Sequence, residues 1–411
     1  MKLQSLILLG SALVPGVLGW GAAGHEIVAT IAQIHLHPEV LPKICEILDF
    51  SSNDPTKPEC HLAPISTWAD KFKYRMRWSA PLHYVGALDD YPSETCAFPG
   101  DRGWAGKRFI NVLGGIRNTT DLLEGYVTGE QDITTANEAL KFLVHFLGDL
   151  HMPLHLTGRD RGGNSVKVKF DNRVTNLHSL WDGLLIAKNL RTIPYNYTRP
   201  LPIRQVEYNL RGAIYDPFIR RVMWEGVYSS WRDEIPDWLS CPAPPVQHTS
   251  TPSALGASWS YLHSIWTFVK SSLSISTTEN RQTTTLSAPS TGPSLFISLT
   301  ALDEPPYGGH GRFSEFFTEQ DDHDAHHFSS VEAELAQFDK DGQFVGGRHG
   351  GSTGGRPEYL ELDTPEYAGV IADQRILERL MAQAGIRLAG VLNWLFAPNG
   401  EMNVALWMPQ D

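Results

Sequence analysis

The chain has 411 residues, 42% of them hydrophobic, and a formal net charge of -12. That length suffices for one large core or two. An acidic balance argues against a protein that grips nucleic acid with a broad basic face, but not against one that engages phosphates locally through bound cations.

Residues 1–19 read as a secretory signal peptide: Lys2 supplies the positive start, Leu3 to Val14 the apolar core, and Val17-Leu18-Gly19 the cleavage region. No later apolar run reaches about 18 residues, so no membrane anchor is expected. The mature chain is expected to be secreted, monomeric and to begin at Trp20. Secretion makes the four cysteines disulfide candidates with three possible pairings. Cys45 and Cys60 bracket the turn-rich Ser51-Ser52-Asn53-Asp54-Pro55, which suits a local bridge and leaves Cys96 with Cys241. The sequons at Asn118 and Asn196 fit glycosylation in the same compartment.

From Trp20 to about residue 50 the pattern is helical, with Ile27, Ile31, Ile34 and Leu41 at turn-like spacing. Residues 60–90 hold Ser66-Thr67-Trp68-Ala69-Asp70 and Pro81-Leu82-His83-Tyr84-Val85, an Asp and a His among apolar and aromatic neighbours. Two helices are predicted over 104–152, joined near Gly125 to Thr134. The second contains Phe142-Leu-Val-His145-Phe-Leu-Gly-Asp149, in which His145 and Asp149 share one face, one turn apart, within a buried run. A His and an Asp so spaced more often form a simple hydrogen-bonded pair. A second pair at the same spacing, His178 and Asp182, shifts the reading toward metal, because a buried carboxylate needs a compensating cation. Pro153 is expected to end the helix near His151 or Met152 and turn His155 toward other ligands.

Arg161-Gly162-Gly163-Asn164 predicts a glycine-rich loop, and Val166-Lys167-Val168-Lys169-Phe170 one edge of a short hairpin. Helix is predicted again over roughly 205–232, and a long closing helix through Ile376, Leu380, Leu388 and Leu395. Between them, 243–357 is low-complexity and rich in Ser, Thr, Pro and Gly, and is expected to be disordered. Within it, Asp321-Asp322-His323-Asp324-Ala325-His326-His327 reads as a solvated polar surface. Asp339-Lys340-Asp341-Gly342 resembles a calcium loop, but the closing Glu position falls on Arg348, which excludes it. The fold class expected is all-α, with a short β-hairpin and an insertion: a metal-dependent domain over 20–242 and 358–397, interrupted by 243–357.

Collected in order, the chemically able residues in apolar surroundings are His25, Asp70, His83, His145, Asp149, His155, His178 and Asp182, with the amino terminus of Trp20 once the signal is removed. With Trp20-Gly21 five residues before His25, Trp68-Ala69-Asp70, Leu82-His83-Tyr84, His145-x3-Asp149-x5-His155, Gly162-Gly163-Asn164 and Asn176-Leu177-His178, the sequence resembles the S1/P1 nuclease family. Members of that family share a helical fold with the zinc phospholipases C. The resemblance covers about 20–242 and again 364–396.

What the resemblance implies is a site of three zinc ions per chain. One is held by Asp70, His83, His145 and Asp149. A second uses the amine and carbonyl of Trp20 with His25 and shares Asp149. The third is held by His155, His178 and Asp182. It further implies that Asp70 orients or activates the attacking water, Lys73 neutralises the phosphate, Asn164 lies near the scissile group and Tyr84 stacks on a nucleobase. In fungal members an Asp two residues beyond that aromatic hydrogen-bonds the base; here the position is Gly86, which leaves base preference open. A Cys96–Cys241 disulfide is implied as well. The implied activity is zinc-dependent hydrolysis of single-stranded RNA and DNA to 5′-phosphorylated products, with 3′-nucleotidase action on 3′-nucleotides. The alternatives are a phospholipase C-like phosphodiesterase and a zinc-binding member without catalysis. The insertion has two explanations, a natural loop or translated non-coding material.

Overall fold

The computed structural model describes residues 20–50, 52, 54–87, 103–240, 358–398, 400 and 404. The expected signal peptide, Cys96 and Cys241 with their implied disulfide, and the expected insertion with its two acidic motifs lie outside the described residues. All described residues but Ser240 fall in one unit.

Its centre is α1 (Ala22–Ile34), buried without interruption from Ile27 to Ile34. A helix buried on every side must have its polar groups paired: Thr30 Oγ1 donates to the Glu26 carbonyl, and Gln33 donates to the Cys60 carbonyl and Asn209 Oδ1. The closing helix predicted from the leucine spacing, Ile376–Phe396, lies along it. There Gly385 presses so close that a Cβ would come within 2.7 Å of Ile31 Cβ and 3.0 Å of Val28 O. The last helix thus shares the core of the first, and brings Asn393 to accept from His37 N and donate to His35 O.

After α2 (Val40–Ile47) and α3 (Trp68–Phe72) comes the predicted pair, α4 (Val112–Thr128) and α5 (Ile133–Asp149). A four-residue connection forces them into an antiparallel hairpin of helices. Asp132 caps α5 by accepting from Thr135 N at 2.7 Å. Helix was also expected over 104–111, and the structure corrects this. Asn111 accepts from Leu113 N and Gly114 N while donating to the Arg108 carbonyl, so α4 starts only after it. Ahead of it runs a two-stranded antiparallel sheet, β1 (Gly86–Ala87) on β2 (Trp104–Ala105).

The predicted hairpin is β3 (Lys167–Phe170) paired antiparallel with β4 (Arg173–Asn176). Val168 and Phe170 alternate into the core, and Asp171 and Asn172 turn the chain at φ 51° and 61°, the conformation a two-residue hairpin loop needs. Lys169 and Glu361 form a parallel bridge, which stitches the segment following 357 onto the hairpin.

From residue 177 the chain forms α6 (Leu177–Ser179), a π-helical segment Leu180–Leu184 and α7 (Leu185–Arg191). The helix expected over 205–232 is broken: α8 (Arg204–Asn209) stops, and Asp216 Oδ2 accepts from Gly212 N and Ala213 N. The chain restarts as α9 (Asp216–Arg221) and a π-helix, Val222–Ser230. Then follow α10 (Ile235–Leu239), α11 (Val370–Asp373) and α12, the closing helix. No described helix is long and apolar enough to cross a membrane.

The two sequons differ. Asn196 is exposed in the turn Tyr195–Thr198, whereas Asn118 is mid-helix in α4, its side-chain oxygen buried without a partner. Replacing Asn196 with Gln is expected to remove a glycosidase-sensitive mass from secreted protein and Asn118→Gln to leave it in place, read by mass spectrometry. Cys45 and Cys60 are disulfide-bonded over a separation of 15 residues. A loop of that size corresponds to about 3 kcal/mol of stability. The Cys45→Ser/Cys60→Ser variant should lose close to that in denaturant unfolding, and an unchanged midpoint would contradict it.

Candidate metal centre

The centre is assembled on the C-terminal turn of α5. His145 and Asp149, four residues apart, are both 0% exposed, and His145 Nε2 lies 3.1 Å from Asp149 Oδ2. His83 closes the same face: its Nδ1 is 2.9 Å from Asp149 Oδ2 and 3.1 Å from His145 Nε2. It ends the 3₁₀ segment Arg77–His83. On the other side of the carboxylate, His25 Nε2 from α1 is 3.3 Å and His155 Nδ1 3.4 Å from Asp149 Oδ1. Asp70 from α3 reaches His145 Nε2 at 3.8 Å and receives Lys73 Nζ at 3.9 Å.

A further set stands beside this one. His178 Nε2 and Asp182 Oδ2 are 3.2 Å apart, and the ring of His155 stacks on that of His178 with centroids 5.1 Å apart. The donor atoms fall into three buried groups: His25, Asp70 and His145; His83, His145 and Asp149; His155, His178 and Asp182. All eight side chains singled out from the sequence are therefore brought together. Trp20 is fully buried, and the next residue, Gly21, donates its N–H to the Asp182 carbonyl at 2.7 Å, which seats this part of the chain against the third group.

The imidazoles are aimed from behind. Nδ1 of His145 lies 2.7 Å from the Ser66 carbonyl, Nδ1 of His155 the same distance from the His83 carbonyl, and Nδ1 of His178 the same from that of Gly162. With Nδ1–H donated to a carbonyl, Nε2 is the nitrogen left for a metal once any proton on it is lost. Gly148 makes a similar contribution by being small: a Cβ there would stand 2.5 Å from His25 Nδ1. Neither the three carbonyls nor Gly148 was singled out from the sequence. Only the glycine left a signal, as the residue just before Asp149. His151, in the same stretch, is turned away; its Nδ1–H donates to the Leu147 carbonyl and its Nε2 accepts from Arg387.

The electrostatics explain why such a cluster wants a cation. Burial alone would depress His145, yet the carboxylates of Asp149 and Asp70 hold its pKa up at about 9. Burial works against the Asp149 anion too, but His145 and His155 keep its pKa well below the usual carboxylate range. Burial also pushes His155 down to about 4 and Asp182 up to about 7. Buried atoms without a hydrogen-bond partner include Asp149 Oδ1, Asp182 Oδ1, His83 Nε2 and His178 Nε2. Orphaned buried donors and acceptors are costly and rare. Imidazole and carboxylate in this proportion are a donor set suited to zinc and its neighbours among the divalent ions. The residues fit a metal centre.

The substrate-side candidates lie around it. Tyr84 follows His83 directly and is 54% exposed, an aromatic face open to solvent. Lys73 approaches Asp70 as above, and Asn164 donates from Nδ2 to the Arg161 carbonyl while its Oδ1 is buried without a partner.

Residues 20–274 match the family described as S1/P1 Nuclease. Endonuclease 2 of Arabidopsis thaliana is 30% identical over 233 residues, 55% of this chain and 70% of the relative. Endonuclease 3 of the same plant is 33% identical over 245 residues, 57% and 71%. Nuclease S1 of Aspergillus oryzae is 37% identical over 175 residues, 42% and 56%.

Two outcomes are expected. Because metal must displace a proton from His145, divalent-metal affinity should climb as pH rises from 6 toward about 9, by about tenfold per unit for each displaced proton, and flatten above it. A chelator competition series reads this; affinity level between pH 7 and 9 would contradict it. The second outcome concerns Gly148→Ala, which should push His25 off the cluster and lower the metal retained per chain after dialysis. Unchanged metal content would show that His25 holds none.

Proposed function

Because the chain belongs to the S1/P1 nuclease family, we propose that its buried cluster holds three zinc ions and hydrolyses phosphodiester bonds of single-stranded RNA and DNA. The products are 5′-phosphorylated, and 3′-nucleotides are dephosphorylated at the same place. The observation that carries this reading is the set of three neighbouring buried His/Asp groups, with the exposed aromatic Tyr84 next in the chain to the ligand candidate His83. Bound zinc would supply an activated water and charge stabilisation on the attacking and leaving oxygens.

The ligands would be Asp70, His83, His145 and Asp149 for one ion; Trp20, His25 and Asp149 for the second; and His155, His178 and Asp182 for the third. Asp149 suits a shared role because its two oxygens face different partners, Oδ2 toward His83 and His145, Oδ1 toward His25 and His155. Asp70, 6% exposed, would orient the attacking water, and Lys73, 3.9 Å from it, would offset phosphate charge. Asn164 offers an amide to the scissile group. Tyr84 supplies a stacking face for an unpaired base, a contact of about 1–3 kcal/mol that accepts any base and is denied to a paired one. That face is also what favours a nuclease over a phospholipase.

The reading includes secretion and removal of residues 1–19, since only then does Trp20 have a free amine. The Cys45–Cys60 bridge supports an oxidising compartment.

The test uses secreted, signal-cleaved protein. About three zinc ions per chain are expected, with cleavage of single-stranded RNA lost on chelation and restored by zinc. Zinc-loaded protein that leaves RNA and DNA intact would sink the proposal. Tyr84→Ala is expected to raise KM for single strands by roughly 10-fold, from the stacking energy, with a smaller effect on kcat.

A further inference from the structure

The charge of the whole chain is at odds with a polyanionic substrate, and the resolution lies on either side of Tyr84. Three backbone contacts fix its surroundings. Val85 N donates to the His155 carbonyl at 2.8 Å, and the Tyr84 carbonyl accepts from Val112 N at 3.0 Å. Gly86 pairs with Ala105 across the β1–β2 sheet. At Gly86 the fit is tight: a Cβ would stand 2.8 Å from Gly158 N and 3.3 Å from Ala105 Cβ. Residues 84–86 are therefore a rib, with the 103–111 segment on one flank and the 157–161 turn on the other.

Both flanks are basic. The first carries Lys107, exposed, and Arg108, whose guanidinium lies over the ring of the exposed Phe109 at 5.2 Å. The second carries Arg159 and Arg161, both exposed. The one acidic residue on the two flanks is Asp160, which lies 3.8 Å from Arg159. The second turn is also rigidly presented. Residues 160–163 all have positive φ, two of them not glycine, and the Gly162 carbonyl is tied to His178. Such backbone costs energy and persists only where surrounding contacts enforce it.

We infer that these flanks form a cradle for the phosphates neighbouring the scissile one, with Lys107, Arg108 and Phe109 on one side of the stacked base and Arg159 and Arg161 on the other. The inference rests on the nuclease reading and extends it: the preferred substrate is a polynucleotide several residues long, not a dinucleotide or mononucleotide. Basic groups interleaved with exposed aromatics are the physical requirement for tracking a single strand without reading its sequence. A local cradle of this kind is compatible with an acidic chain, because only charges within about a Debye length of the strand, roughly 8–10 Å, act on it strongly.

The experiment compares wild-type holoenzyme with Lys107→Gln/Arg108→Gln, with Arg159→Gln/Arg161→Asn, and with all four together; Asn is chosen at 161 because it tolerates positive φ. Two readouts are taken. The first is binding of a fluorescent phosphorothioate thymidine oligomer of about twenty nucleotides over a salt series, where each lost phosphate contact lowers the log–log slope by about 0.7. The second is the ratio of kcat/KM on the natural oligomer to that on a dinucleoside monophosphate, which has no flanking phosphate. Each double variant is expected to weaken oligomer binding by roughly 3–10-fold, to flatten the salt slope and to lower the ratio, the quadruple variant more so, with zinc content unchanged. Unaltered oligomer binding and slope in the quadruple variant would overturn the cradle. So would equal losses on oligomer and dinucleotide, since a general defect moves both. Wild-type protein that binds the oligomer with the expected slope yet cleaves neither substrate would instead fail the nuclease reading and leave the cradle standing.

Discussion

The structure depends on one buried carboxylate. Asp149 has no exposure to water and is surrounded by four imidazoles, from His25, His83, His145 and His155. An anion in that position costs several kcal/mol unless compensated, and each compensating group comes from a different part of the chain: α1, the 3₁₀ turn before Tyr84, α5 itself, and the turn opened by Pro153. Satisfying Asp149 is therefore the same act as bringing these elements together. Protons can do it in part, as the raised pKa of His145 shows, but they leave Asp149 Oδ1 and several ring nitrogens without partners. Divalent cations would complete the compensation.

The rest of the fold can be read as support for that arrangement. The closing helix packs on α1 at Gly385 and so fixes the helix that carries His25. Carbonyls of Ser66, His83 and Gly162 set the tautomers, and the last belongs to the turn that also displays Arg159 and Arg161. The candidate metal site and the proposed phosphate cradle are thus joined through one peptide group, which would tie phosphate binding to the geometry of the third His/Asp group.

Much of this was legible in the sequence, for definite reasons. The four-residue spacing of His145 and Asp149, and of His178 and Asp182, survives any helical winding near 3.6 residues per turn. Val168 and Phe170 alternate as a half-buried strand must, and the leucines from 376 to 395 leave only a helix. The Cys45–Cys60 bridge followed from a turn-rich loop of suitable length. Other features were hidden because they depend on contacts distant in sequence. Nothing local announces the π-helical winding at Leu180–Leu184 or the β1–β2 pairing of Gly86 with Ala105. Asn111 and Asp216 differ: they set where α4 and α9 begin through bonds to residues two to four positions away. Gly86 is the clearest case. From the sequence it is a missing side chain; in the fold it is a position where the Gly158 backbone leaves no space for one.

The account stands or falls on what lies against Asp149. The most direct measurement is anomalous diffraction at the zinc absorption edge from crystals of the secreted, signal-cleaved protein. The account predicts anomalous peaks touching both oxygens of Asp149, the amine of Trp20, and the His155, His178 and Asp182 group. Strong data without a peak at Asp149, its carboxylate held by the imidazoles alone, would contradict it.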